Sequence, residues 1–189
     1  MNWNNALRDF EHYLNIERGL SKHTVISYRM DVQKLIVFLE TNKKSISPID
    51  IDFETVQVFL YELAKSVNAR TQSRVISGLR SFFDYLIFEN YRTTNPLEQI
   101  EAPKIGRKLP DTLSVKEIDK IVAAIDLSHP LGERNKAIIE TLYSCGLRVS
   151  ELTHLKLSDL FFDEGFIKVT GKGNKQRFVP IGKDTQKII

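Results

Sequence analysis

From Ala69 to Phe88 the apolar residues Val75, Ile76, Leu79, Phe82, Phe83 and Leu86 recur three and four positions apart, which places them on one side of a long helix. A stripe of that length must be covered by other helices, so a helical core is required before any other feature is read. The upstream residues provide them. Trp3 to Ile16 repeats the spacing and is stopped by Gly19; Ser21 then caps a second helix whose stripe is Val25, Tyr28, Val32, Leu35, Ile36 and Leu39. A third helix runs from Asp52 or Phe53 to about Ala64, so residues 1–100 read as a four-helix domain.

Asn95-Pro96 ends that region, and Pro103, Gly106 and Pro110 mark residues 101–111 as an extended linker. Residues 112–189 form a second domain. It opens with Ser114 and Glu117 in capping-box spacing, continues with a helix from Arg134 to Ser144, breaks at Gly146 and restarts from Arg148 to His154. The pattern then changes to alternation: Phe166 to Thr170 and Gln176 to Ile181 read as two strands of a hairpin around Gly171-Lys-Gly-Asn-Lys175. The expected fold is mainly α with a small β component. The chain stops after Ile189 partway into what reads as another helix, so we expect a fragment.

Composition narrows the class. With 42% hydrophobic and 27% charged residues the chain can build ordinary cores, and it has neither an apolar run of the roughly 20 residues a membrane span needs nor a signal peptide. A cytoplasmic protein is expected. The single cysteine, Cys145, excludes an internal disulfide or a multi-cysteine zinc site. Net charge is only +3, so its distribution matters more than its sum. Lys65, Arg70, Arg74 and Arg80 form one acid-free basic stretch; Lys168, Lys172, Lys175, Arg177, Lys183 and Lys187 form another around a single Asp184. On the fourth helix Arg70, Arg74, Ser77 and Ser81 share the side opposite the apolar stripe, a pattern suited to phosphate contacts. Of these, Arg70, Arg74 and Ser77, with Lys22, Arg29 and Gln33 of the second helix, are the candidate nucleic-acid contacts; the alternative is a solvated helix face.

Two boxes carry a family resemblance. Leu142-Tyr-Ser-Cys-Gly-Leu-Arg-Val-Ser-Glu-Leu152, followed by Leu155-Lys-Leu-Ser-Asp159, resembles the box around the first catalytic arginine of tyrosine recombinases of the Xer type. Val169-Thr-Gly-Lys-Gly-Asn-Lys-Gln-Arg-Phe-Val-Pro-Ile-Gly182 resembles their hairpin bearing the catalytic lysine. Gly19 to Thr24 with Tyr28, Arg70 to Arg74, Leu79 to Phe83 and Asn95-Pro-Leu97 resemble the family's helical core-binding domain, so the resemblance spans the whole chain.

The resemblance implies a SAM-like DNA-binding domain followed by the start of an α/β catalytic domain, and site-specific DNA recombination through a 3′-phosphotyrosine, of the kind that resolves chromosome dimers. It implies no metal and no cofactor. Double-stranded DNA and paired recombinase subunits, forming a tetramer on DNA at full length, are the implied partners; whether a DNA translocase activates the protein is left open. Arg148 is assigned to the non-bridging phosphate oxygens, Glu151 to orienting its neighbours, and Lys172, between two glycines, to protonating the leaving oxygen. Lys175 and Arg177 are expected to contact phosphates. The six tyrosines match no nucleophile position, so the nucleophile is expected beyond Ile189 and the fragment inactive alone. A phage or transposon integrase, or a short DNA-binding regulator without catalysis, stays open as an alternative.

Overall fold

The helical spacing of the first hundred residues is realised as four helices in the computed structural model, which describes residues 1–106 and 109–189. Arg107 and Lys108, within the expected linker, lie outside the described residues. The chain divides into two units, Met1–Lys108 and Leu109–Ile189, each with its own core.

In the first unit the helices are α1 (Trp3–His12), α2 (Lys22–Thr41), α3 (Phe53–Ser66) and α4 (Ala69–Phe88). Each begins where a side chain supplies a missing acceptor. Asn2, Ser21, Asp52 and Asn68 accept the backbone N–H of Asn5, Thr24, Thr55 and Thr71 at 2.8–3.3 Å, each cap contributing on the order of 1 kcal/mol. α1 is shorter than its spacing predicts, because Tyr13–Glu17 widens into a π-helical turn before Gly19 reverses the chain at φ +57°. The widened turn keeps Leu14 in the core and lays Tyr13 on Tyr85, ring centroids 4.9 Å apart.

The α4 stripe is buried throughout: Val75, Ile76, Leu79, Phe82, Phe83 and Leu86 pack with Phe10 of α1, Leu35 and Leu39 of α2 and Val56 and Phe59 of α3. Burying each such side chain stabilises by about 1.5–3 kcal/mol. Two arginines fasten the connections to this core. Arg92 donates to the carbonyls of Pro48 and Ile51, both at 2.9 Å, while Arg80 donates to those of Leu97 and Ile100. Arg80 is therefore a structural cation and does not belong to an exposed basic patch. Lys65 is exposed and pairs with Glu62 one turn away on the same helix, at 2.7 Å.

The second unit contains α5 (Val115–Ala123), α6 (Gly132–Cys145), α7 (Val149–Thr153) and α8 (Lys183–Gln186). It also holds an antiparallel sheet of β1 (Leu160–Phe161), β2 (Phe166–Thr170) and β3 (Gln176–Pro180) in the order β1-β2-β3. Glu117 fulfils the capping spacing by accepting both the N–H and the hydroxyl of Ser114 at 2.7 Å. Alternation along β2 puts Ile167 and Val169 into a core with Cys145, Leu147 and Ile181. Strand β1 is an addition to the expected hairpin; two residues are too few to show alternation. No helix among the described residues is long and apolar enough to cross a membrane.

Candidate functional site

α6 ends at Gly146, whose left-handed φ of +58° turns the chain sharply. Leu147 then tucks into the core, Arg148 takes an extended conformation as the N-cap of α7, and Glu151 follows one helical turn later. This short path gives the two charged residues opposite environments. The Arg148 side chain is 72% exposed, whereas that of Glu151 is 1% exposed.

Burial of the Glu151 carboxylate is matched by four donors. Its Oε1 accepts from Arg148 Nη1 at 3.0 Å and from Arg177 Nη1 at 2.6 Å; its Oε2 accepts from the Arg148 backbone N–H and from Arg177 Nη2, both at 2.9 Å. Every lone-pair direction of the carboxylate is occupied. The Arg177 guanidinium, and then the Arg148 N–H, hold Glu151 down to about 2 from an ordinary 4.5, so it is an anion at any physiological pH. Arg148 contributes one of its five N–H donors to this anchor and keeps the others toward solvent.

Arg177 comes from β3, opposite Val169 of β2. Two of its five N–H donors meet Glu151, a partner not expected of it: a buried carboxylate needs a fixed cation, and the strand register delivers Arg177 there. At the turn, Gly171 donates to the Lys175 carbonyl at 2.8 Å. A Cβ on Gly171 would lie 3.1 Å from Glu151 Oε1, so this glycine lets the hairpin lie against the carboxylate. Lys172 follows it in a turn where Gly173 has φ +72°, and both Lys172 and Lys175 are exposed. The arrangement sets a pinned, exposed cation on a buried carboxylate, beside a turn that carries an exposed lysine, which suits binding a phosphoryl group. Sequence reasoning missed Gly171 and the partner of Arg177, since neither has a local signal. His154 is exposed, with Nδ1 2.7 Å from the Ser150 carbonyl. Among the described residues no group of three or more His, Cys, Asp or Glu side chains could hold a metal ion.

In the first unit the cations expected to share one DNA-facing surface are distributed differently. Arg70, Lys22 and Ser77 are exposed. Arg74 is exposed too, but its Nη1 lies 2.7 Å from Oδ2 of Asp31, a buried carboxylate on α2. Arg29 pairs with Glu11 of α1 at 3.1 Å, and Gln33 lines the groove between α2 and α3. Arg74 and Ser77 instead share a cleft with His23, Thr24, Ser27, Tyr28 and Asp31. The spacing of Thr24, Ser27, Tyr28 and Asp31, three and four apart, was the available signal for this second stripe of α2.

Comparison with known proteins accounts for both units. Residues 7–90 match the N-terminal SAM-like domain of phage integrases, and residues 111–189 match the phage integrase family. The chain belongs to the phage integrase family, the tyrosine recombinases. Within it the chain is similar to tyrosine recombinase XerD of Oceanobacillus iheyensis, 43% identical over 183 residues covering 96% of this chain and 61% of that protein. It is also similar to XerD of Listeria monocytogenes, 36% identical over 187 residues covering 98% and 63%. The chain thus spans less than two thirds of these relatives. A lambda integrase dimer bound to a core site shares the fold with a TM-score of 0.75 at 22% identity, covering 100% of this chain and 68% of that one. XerH bound to its difH substrate gives 0.69 at 21% identity, covering 96% and 55%.

Proposed function

We propose that residues 1–189 supply the DNA-binding helical domain and part of the catalytic machinery of a site-specific DNA recombinase of the Xer kind. The observation that carries the proposal is the Glu151 cluster, where Arg148 is held by one N–H and leaves the rest of its fork free for a phosphate. In the reaction proposed, a tyrosine oxygen of the full-length protein attacks the scissile phosphorus and the bond to the 5′-oxygen breaks. Arg148 neutralises the non-bridging oxygens as charge gathers on them, and Lys172 gives its proton to the departing 5′-oxygen. Identity of 36–43% to XerD proteins supports the Xer assignment over a phage or transposon integrase. Paired subunits on duplex DNA, chromosome-dimer resolution and a cytoplasmic setting belong to the same proposal. Lambda integrase and XerH were each solved on DNA, which supports DNA as the partner.

DNA binding is tested by titrating residues 1–189 against duplex DNA over a range of salt. Arg70→Ala should weaken binding and flatten the log–log salt slope by about 0.9, the release expected for one phosphate contact. Arg74→Ala should flatten it less, because Asp31 already neutralises Arg74. Affinity and slope unchanged by both substitutions would remove this surface from the interface.

A further inference from the structure

We infer that Arg177 is a positioning residue: by chelating Glu151 it docks the β2–β3 turn on the N-terminus of α7, and so holds Lys172 in the site that Arg148 defines. The inference rests on the proposed roles of Arg148 in phosphate binding and Lys172 in proton donation.

Two independent contacts join the hairpin to the carboxylate. The Arg177 fork meets both Glu151 oxygens at 2.6 and 2.9 Å, and the backbone of Gly171 approaches so closely that a Cβ there would stand 3.1 Å from Oε1 and 3.5 Å from Arg177 Nη1. Lys172 is the next residue. Between these contacts the hairpin is stiff: Val169 pairs with Arg177, Thr170 pairs with Gln176, and Gly171 N–H closes onto the Lys175 carbonyl at 2.8 Å. The position of Arg177 is thereby transmitted to the start of the turn, while Gly173 leaves the turn itself adaptable.

The two arginines divide the work. Arg148 places one N–H on Glu151 and is 72% exposed; Arg177 places two there and is 42% exposed. A fork that meets a carboxylate along both arms is oriented by it, and a lysine ammonium cannot reproduce that geometry. Arg177 sets both arms of its fork on Glu151, whereas Arg148 reaches the same carboxylate through contacts of its own. Loss of Arg177 should consequently mimic loss of Lys172 and leave the function of Arg148 in place.

The experiment compares Lys172→Ala, Arg177→Ala and the double variant in the full-length protein. The readout is the rate of covalent protein–DNA complex formation on a nicked suicide duplex. Each protein is assayed on an ordinary phosphodiester and on one whose bridging 5′-oxygen is replaced by sulfur, a leaving group that needs no acid. Arg177→Ala should be slower by roughly 10²-fold on oxygen, the lower range for a lost general acid. On sulfur its rate should return close to wild type. The double variant should be no slower than Lys172→Ala. Arg177→Lys, which keeps the charge and loses the fork, should fall between, and it carries the comparison if the alanine variant does not fold. Equal impairment on both substrates, or additive losses in the double variant, would overturn the positioning role. If Lys172→Ala itself is not rescued by sulfur, the proton-donor assignment fails and the positioning role falls with it, a failure visible without reference to Arg177.

Discussion

Glu151 carries its charge inside the protein because two guanidinium groups and a backbone amide meet its two oxygens. The ionised form is favoured by folding, so the unfolded chain binds this proton at higher pH than the folded one. The stability it contributes is fully present above about pH 4.5 and is lost as pH falls toward about 2. Glu151→Gln should therefore melt below wild type at pH 7, and the gap should close as both are titrated from pH 4.5 to 2. A gap that stays constant over that range, followed by thermal unfolding, would show that the carboxylate is not held by these donors. The residue types at this site were legible through their boxes, whereas the contact between Glu151 and Arg177 was not. The two residues are 26 positions apart, and only the register of β2 against β3 decides which strand residue reaches the carboxylate.

Among the elements, α2 and α4 meet around a different buried acid. Asp31 is 2% exposed, with Arg74 on one oxygen and Lys34 3.4 Å from the other, and α4 makes room for it at Gly78. A Cβ on Gly78 would stand 2.7 Å from Asp31 Oδ2 and 2.8 Å from Asp31 Cβ. Alanine in mid-helix ordinarily gains close to 1 kcal/mol over glycine, but overpacking of this kind typically costs about 1–3 kcal/mol. Gly78→Ala should thus destabilise the first unit in urea unfolding, and the loss should shrink when Asp31 is also replaced by Ala. A stabilised Gly78→Ala variant would contradict the close approach. The four helices and the Ser21 cap could be read in advance because spacing and capping are local. The π-helical turn, β1 and the roles of Arg80 and Arg92 could not: those two arginines bind backbone carbonyls 17–44 residues away that only the folded chain brings near.

Across the whole molecule the net charge of +3 conceals a division of labour among the cations. Arg80 and Arg92 hold the fold, Arg74, Arg148 and Arg177 pair with buried carboxylates, and Arg70, Lys172 and Lys175 are exposed. A basic stretch in the sequence is therefore a poor guide to a binding surface until its partners are known. The central claim is that Arg148 stabilises the transition state of DNA strand cleavage. The measurement that tests it most directly is covalent complex formation on the nicked suicide duplex by the full-length protein and its Arg148→Ala variant, at DNA concentrations that saturate both. The account predicts a loss on the order of 10²–10³-fold in rate for the variant, undiminished when the leaving oxygen is replaced by sulfur, since Arg148 acts on the non-bridging oxygens. A variant that forms the covalent complex at the wild-type rate, or one fully rescued by sulfur, would contradict it.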